Sequence, residues 1–469
     1  MSWTAMAVDL GATSGRAIVG EVADDRLTLT EVHRFPNQML EVDGHLRWQV
    51  HELLGEIRSG LRRARERGHG LSSIGIDTWG VDYGLLDTQG DLLDLPYAYR
   101  DHRTDGVMER VLHIIPRERI YEITGIQFMP INTIYQLVAD AAEGRFANAR
   151  RLLMMPDLIA FLLCGEARSE LTIASTSQLL DCRTRAWATE LCEPLGIPAG
   201  ILPPVVGPGT QIGAIGADFG EAKGLKVIAP AGHDTACAVA AVPGEGDDWA
   251  YISAGTWCLV GTLTEQPVTT EAARQSDLTN EAAADGGIRL LKNVTGLWLL
   301  EECRRIWVGE GPVEDYAALC EMAAREPAGA APFDPDHPAL AAPDNMLEAL
   351  ALACREAGSR LPETRAGIAR AIFEAIAGKM GVVLRRLEQV TGREYRRLHM
   401  VGGGSRNALL CQLTADACGL PVIAGPAEAT AYGNIVMQAV AAKRLDSPQA
   451  GRDLVRRSVE LRTFEPVGA

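Results

Sequence analysis

Apolar and polar positions alternate on both sides of a short glycine-rich stretch near the start of the chain. Met6-Ala7-Val8 precedes it and Ala17-Ile18-Val19-Gly20-Glu21-Val22 follows it. Asp9-Leu10-Gly11-Ala12-Thr13-Ser14-Gly15-Arg16 is therefore predicted to be a tight turn between two strands of a hairpin. Leu27 to His33 alternates again and predicts a further strand, and His45-Leu46-Arg47-Trp48 a short one. From Val50 to Arg67 the period changes. Leu53, Leu54, Ile57 and Leu61 share one face, which predicts an amphipathic helix. Ile74 to Asp87 then reads as strand, interruption, strand.

Residues 96–140 concentrate tyrosines, arginines and other polar groups, and read as loops lining a cleft rather than as a core. Leu152 to Leu163 reads as a helix, with Pro156-Asp157 as its N-terminal signal. Leu171 to Gln178 is hydroxyl-rich and has no clear period, and Pro203 to Gly209 is a loop. Val227-Ile228-Ala229 is a strand leading into Pro230-Ala231-Gly232-His233-Asp234-Thr235. The small-residue run Ala236 to Ala241 then predicts a tightly packed helix.

Val242 to Asp248 is short, polar and rich in Pro and Gly, which predicts a boundary between domains of residues 1–245 and 246–469. The opening pattern then returns: Trp249 to Gly261 is strand, Ser/Gly/Thr turn, strand. Leu290 to Trp298 leads into a helix carrying Glu301. Residues 327–345 read as an irregular insertion, and Ala366 to Val390 as a long helix. Leu398 to Val401 is a short strand delivering Gly402-Gly403-Gly404-Ser405-Arg406-Asn407. Leu409 to Cys418 is helical, Val422-Ile423-Ala424 a buried strand, and Ala429 to Ala442 a helix broken near Gly433.

At 469 residues the chain exceeds one comfortable core, which agrees with two domains. The net charge of -16 argues against nucleic acid or an anionic membrane surface as partner. No apolar run approaches transmembrane length. Met1-Ser2-Trp3-Thr4 lacks the basic and apolar regions of a signal peptide, so a cytoplasmic location is expected. None of the ten cysteines forms a C-x-x-C pair, and reduced thiols are the expectation.

The opening hairpin is the first candidate for chemistry. A P-loop runs from strand to helix and ends in Gly-Lys-Ser/Thr, and a dinucleotide fingerprint also needs a helix next. Neither fits. What remains is a hairpin whose glycines let the backbone approach an anion, with hydroxyls at Thr13 and Ser14 and a charge at Arg16. Its bland alternative is an ordinary Gly-rich turn. Asp9 and Asp77, each near a strand end, read either as a carboxylate pair holding Mg²⁺ through water or as turn residues bonded to nearby backbone. Asp234, beside His233 and Thr235, reads either as a base for a substrate hydroxyl or as a helix cap. The Gly402 to Gly404 turn is either a ligand cradle or a plain helix entry. Arg100, Asp101 and Arg103 read as polyol contacts or as a solvated face. His233 and His102 have no partner at metal spacing.

The motifs together resemble the superfamily of sugar kinases, actin and heat-shock ATPases, and within it the FGGY carbohydrate kinases. The carriers are A-V-D-L-G-A-T-S-G-R at the start, S-I-G-I-D-T-W-G-V-D at Ser73 to Asp82, A-Y-R-D at Ala98 to Asp101, and G-I-Q-F-M-P-I-N-T-I-Y-Q-L at Gly125 to Leu137. H-D-T-A at His233 to Ala236, S-A-G-T-W at Ser253 to Trp257, K-N-V-T-G-L-W-L-L at Lys292 to Leu300 and V-G-G-G at Val401 to Gly404 complete them. The resemblance implies an α/β fold of two ribonuclease-H-like domains around a central cleft that closes on binding. The first domain would bind sugar and carry the base, and the second would bind nucleotide. The implied activity is transfer of the γ-phosphoryl group of ATP to the 1-hydroxyl of L-rhamnulose with Mg²⁺. Another ketose or polyol such as L-fuculose, or a sugar sensor without turnover, are the alternatives, and a monomer or small homo-oligomer is expected. Carried over by position, Ala12, Thr13, Ser14, Gly15, Arg16, Thr256, Glu301 and Gly403 contact ATP. Asp234 is the base. Gly80, His233, Thr235 and Asn293 face the sugar, and Asp9 and Asp77 hold the metal through water. Glu301 stands where the resemblance leads one to expect Gln, and His102 where it leads one to expect Ser. Thr414 stands where a disulfide partner of Cys418 would be.

Overall fold

The computed structural model describes residues 2–329, 331–341 and 343–467. The chain forms two compact units. One comprises the residues up to Pro243 together with Leu263–Leu290 and Ala429–Ser458. The other comprises Gly244–Thr262, Leu291–Glu428 and the residues from Val459 onward.

The first unit is built on six strands: β1 Trp3–Leu10, β2 Ser14–Ala23, β3 Arg26–Pro36, β4 Ser73–Thr78, β5 Thr210–Ala214 and β6 Lys226–Ala229. Their order is β5-β6-β4-β1-β2-β3. The hairpin β1–β2 is antiparallel, as its alternation predicts, and sets Asp9 opposite Arg16. β4 runs parallel to β1 and β6 parallel to β4, so three strands deliver their carboxyl ends to the same edge. The helix Val50–Glu66 buries Leu53, Ile57 and Leu61 from its predicted face. They join Met6, Val8, Trp48 and Ile76 in one core.

Residues 96–140 are only in part the loops that their polar content predicts. Residues 96–101 and 125–132 are irregular, but between and after them lie the helices Val107–Ile114, Arg117–Thr124 and Thr133–Ala142. Val107, Val111, Ile120, Ile134 and Leu137 make a second hydrophobic core with Leu152 and Met154. The polar groups are satisfied internally. Arg103, buried, donates to Asp140 Oδ1 at 2.6 Å, and the Tyr83 hydroxyl donates to the same carboxylate. Asp101 accepts from the backbone of Leu46 and Arg103. Neither Asp101 nor Arg103 therefore lies on a solvated face.

Three further elements differ from expectation. Arg151–Met154 is a strand, paired antiparallel with Tyr83–Leu86, and the helix begins only at Met155 because Pro156 suits a first turn. Leu171–Ser175 is a short helix whose first N–H groups are taken by Glu170. The helix Ala429–Ala441 runs unbroken through Gly433. That glycine serves packing. A Cβ there would lie 1.8 Å from the Cys237 carbonyl oxygen, on the small-residue helix Asp234–Ala240. Ala236, Cys237 and Ala240 pack there with Met437.

The second unit repeats the opening theme. β7 Trp249–Ala254 and β8 Trp257–Thr264 form an antiparallel hairpin. β9 Arg397–Val401 runs parallel to β7, β10 Val422–Ala424 parallel to β9, and β11 Arg462–Phe464 antiparallel to β10. The long helix Arg365–Thr391 starts at Thr364, whose hydroxyl accepts from Gly367 N at 2.9 Å. All ten cysteines are free thiols, and Thr414 bonds the Leu410 carbonyl. Among the described residues no helix is long and apolar enough to cross a membrane.

Gly433→Ala separates the two readings of that helix. Helix propensity alone would stabilise the variant by about 1 kcal/mol. Overpacking against Cys237 is expected instead to destabilise it by about 1–3 kcal/mol in urea unfolding.

Candidate active site

The parallel register of β1 and β4 sets Asp9 directly beside Asp77. Arg16 reaches across the hairpin and donates to the Asp9 carboxylate. Asp77 is fully buried, and Asn434 Nδ2 donates to its Oδ2 at 2.6 Å. Its Oδ1 has no hydrogen-bond partner. Burial pushes Asp77 well above the usual carboxylate range, and the neighbouring Asp9 and Asp234 charges push it further.

The turn between β1 and β2 closes through Gly11 N donating to Ser14 O at 2.9 Å. Asn37, which sequence reading missed, clamps it twice. Its backbone N–H donates to Thr13 O and its Nδ2 to Gly11 O at 2.8 Å. Ala12, Ser14 and Arg16 are half-buried and Thr13 is exposed. Gly15 is buried. A Cβ there would meet the Phe35 ring at 2.2 Å, so packing alone requires this glycine.

Beyond β6 the chain continues alongside the end of β4, where Thr78 N donates to Gly232 O at 2.9 Å. Glu170, missed by sequence reading, fixes this extension. Its Oε2 accepts from Gly232 N at 2.8 Å and from Thr172 Oγ1 at 2.6 Å, and Thr172 Oγ1 accepts from His233 N. Asp234 follows as the first helical residue. Its Oδ1 accepts from the next residue, Thr235, at the backbone N (2.5 Å) and at Oγ1 (3.1 Å). A capping carboxylate would bond an N–H two or three residues on, and no side chain caps this helix. The Asp234 side chain keeps 30% of its surface exposed, with His233 Nε2 3.4 Å from Oδ1.

The loop after β4 is held by the other long motif. Val81 has φ +69°, a left-handed conformation that a β-branched residue adopts only under constraint. Thr176 Oγ1 accepts from its N–H, and Thr133 Oγ1 donates to its carbonyl at 2.6 Å. Asp82 beside it is fully buried and accepts from Trp48 Nε1 (2.6 Å), Trp79 Nε1 (2.9 Å), Gln136 Nε2 (3.0 Å) and Tyr99 N. Gly80 is fitted against Thr176, 3.2 Å from where a Cβ would stand. The stretches Ser73 to Asp82 and Gly125 to Leu137 are thus one buried polar structure.

In the second unit, Thr256 sits in the β7–β8 turn. Leu297 N donates to Gly255 O and Trp298 N to Thr256 O. Gly296 permits this, since a Cβ there would lie 2.8 Å from both carbonyl oxygens. Asn293 is half-buried on the strand Ile288–Thr295. Glu301 lies in the first turn of the helix Trp298–Glu310, exposed and paired with Arg304 at 3.3 Å. Of the three glycines after β9, Gly402 and Gly404 are pressed against Ala254. Gly403 alone has an open face, with nothing within 4 Å of a Cβ position.

Residues 4–241 match the N-terminal domain model of the FGGY family of carbohydrate kinases, and residues 250–442 its C-terminal domain model. A protein of Bacteroides thetaiotaomicron named rhamnulokinase is 42% identical over 98% of this chain and 95% of its own length. The rhamnulokinase of Bacillus subtilis is 38% identical over 98% and 95%. The chain belongs to the FGGY family of carbohydrate kinases. Among solved structures, gluconate kinase from Lactobacillus acidophilus aligns with a TM-score of 0.79 at 16% identity, covering 100% of this chain and 94% of that one. Xylulose kinase from Rhodospirillum rubrum gives 0.78 at 19%, covering 99% and 94%. These likenesses show the two-domain FGGY fold.

The same residues bear on the Mg²⁺ that the motifs lead one to expect with ATP. Among the described residues no three His, Cys, Asp or Glu side chains converge on one metal position. Mg²⁺ needs no such cage, because it keeps several waters and takes one or two carboxylates plus phosphate oxygens. The unpartnered Asp77 Oδ1 beside Asp9 fits that donor set.

Burial raises Asp82 from 3.8 to about 6, and its four donors only partly offset this. A carboxyl raised in the folded state contributes most below its unfolded pKa, and that contribution is lost as pH rises through the folded pKa. The window is therefore about pH 4 to pH 6. Relative to Asp82→Asn, which does not titrate, this kinase should lose up to about 3 kcal/mol of unfolding free energy across it. Urea midpoints at both ends measure this, and a constant difference would contradict it.

Proposed function

We propose that this carbohydrate kinase transfers the γ-phosphoryl group of ATP to the 1-hydroxyl of L-rhamnulose, giving L-rhamnulose 1-phosphate and ADP. The observation that carries the mechanism is Asp234: a part-exposed carboxylate beyond the carboxyl end of a parallel strand, bonded to its neighbour Thr235 rather than across the helix turn, and beside His233. The substrate is supported by full-length relatives named rhamnulokinase at 38–42% identity.

Phosphoryl transfer asks the protein mainly for an oriented nucleophile and for charge stabilisation. Asp234 accepts the proton of the sugar hydroxyl as that oxygen attacks phosphorus. His233, Thr235, Gly80 and Asn293 orient the sugar. The strained loop of Gly80 to Asp82 is rigid enough for this, because its carbonyls and carboxylate are already bonded. The β1–β2 turn, with Ala12 to Arg16, takes phosphate oxygens, and in the second unit Thr256, Glu301 and the open face of Gly403 serve the nucleotide. Asp9 and Asp77 would hold Mg²⁺ through water, and the ion would supply positive charge for the phosphates and favour the ionised form of Asp77. Ten free thiols suit a cytoplasmic enzyme. Few large apolar side chains are exposed among the described residues, which suits a monomer or small homo-oligomer.

A coupled ADP-release assay across L-rhamnulose, L-fuculose, D-xylulose and glycerol tests the substrate. The highest kcat/KM is expected for L-rhamnulose, and preference for any other acceptor refutes the assignment. Asp234→Asn is expected to bind ATP normally and to lose about 10²- to 10⁴-fold in kcat. Near-normal turnover would remove Asp234 from the chemistry.

A further inference from the structure

Leu263–Leu290 returns to the first unit and brings Glu281 and Arg289 to His233. Arg289 is fully buried and Glu281 nearly so. Arg289 Nε donates to Ala282 O at 3.0 Å, and one terminal nitrogen donates to Glu281 Oε2 at 2.8 Å. The other terminal nitrogen has no partner. Burial alone would raise Glu281, but the Arg289 charge and the His233 contact hold it below the usual carboxylate range. Burying such a pair is costly, and an unpartnered nitrogen adds to the cost, so stability alone does not account for it.

The ionised Glu281 Oε2 lies 3.1 Å from His233 Nδ1. Arg289 is also 3.1 Å from Nδ1. If Nδ1 accepted from Arg289, its lone pair would face a carboxylate oxygen at that same 3.1 Å. The favourable arrangement puts the proton on Nδ1 and donates it to Glu281, because the partner of one ring nitrogen sets the state of the other. Nε2 then carries the lone pair, 3.4 Å from Asp234 Oδ1, where the 30% exposure of Asp234 lets solvent screen the repulsion that the buried Glu281 would impose in full.

We infer that Glu281 and Arg289 are positioning residues for phosphoryl transfer. They lock His233 as the Nδ1–H tautomer and present Nε2 as a second acceptor beside the Asp234 carboxylate. Two acceptors at this spacing suit two neighbouring hydroxyls of one sugar, one deprotonated by Asp234 and one bound by His233. This role rests on Asp234 as the base, whereas the tautomer does not.

The tautomer is read directly from long-range ¹H–¹⁵N spectra of the ¹⁵N-histidine protein at about pH 8, above the ordinary histidine range. His233 is assigned by its loss in His233→Asn. Protonated Nδ1 and bare Nε2 are expected, and an Nε2–H tautomer overturns the proposal. Glu281→Ala is expected to lower kcat by up to about 10²-fold, the upper end of what the loss of a partner costs a metal-bound imidazole, with KM for ATP unchanged. Glu281→Gln, whose amide oxygen still accepts from Nδ1–H, should recover to within about 10-fold of wild type. Equal losses in both variants, or an effect confined to KM for ATP, overturn the positioning role. Should Glu281→Ala fail to fold, the wild-type spectrum still decides. Turnover retained by Asp234→Asn would refute the base and leave the tautomer, measured without substrate, to be judged separately.

Discussion

A buried carboxylate needs a donor, and for Asp77 that donor comes from the far end of the chain. Asn434 bonds Asp77 Oδ2 and the Gly75 carbonyl. Four residues on, Gln438 donates to the Met6 carbonyl and accepts from Ser73 Oγ. One helix face thus writes its amides onto the backbones of β1 and β4. Leaving such groups unpaired in the interior would cost several kcal/mol. The register of Asp9 beside Asp77, and with it the edge where Asp234 arrives, depends on this ladder. The helix can approach closely enough because Gly20 and Gly75 leave no side chain in its path. A Cβ at either would come within 2.6 Å of Ile435 or Asn434.

The second organising device is polar and lies around Asp82. Two indoles, a glutamine and a backbone N–H converge on one carboxylate, while Val81 is held at positive φ by two threonines. Such a network is favourable only when complete. Its completeness makes the Gly80 backbone a fixed surface rather than a mobile loop, the condition a specificity site needs.

Much of this was legible in the residues. Hairpin alternation, the helix at Val50–Glu66 and the echo at Trp249 to Gly261 follow from side-chain period, which local geometry imposes directly. The FGGY family was legible from its motifs. What period does not carry is the purpose of a polar or glycine residue. Arg103 reads equally well as a solvent-facing group until it is seen to satisfy Asp140 together with Tyr83. Gly433 looks like a break until Cys237 is seen against it. Asn37, Glu170, Glu281 and Arg289 carried no local signal, because each acts on a residue far along the chain, as Asn37 on Gly11 at 26 positions, Arg289 on His233 at 56 and Glu170 on Gly232 at 62. The glycine-rich turn after β9 was read as one object, whereas two of its glycines answer to Ala254 and only Gly403 is left open.

The first unit borrows Leu263–Leu290 and Ala429–Ser458 from the second half of the sequence. During synthesis, therefore, its sheet emerges long before the amides that satisfy Asp77 or the guanidinium that reaches His233. Vectorial folding, in which an N-terminal domain finishes while the rest is still being made, is closed to this chain. The ribosome must deliver nearly everything before either unit is whole, and a nascent chain stopped near Pro243 lacks both the helix that covers Asp77 and the amide that bonds it. The interleaving makes the two halves one unit of biogenesis, and a gene fragment for the first half alone is no independent module.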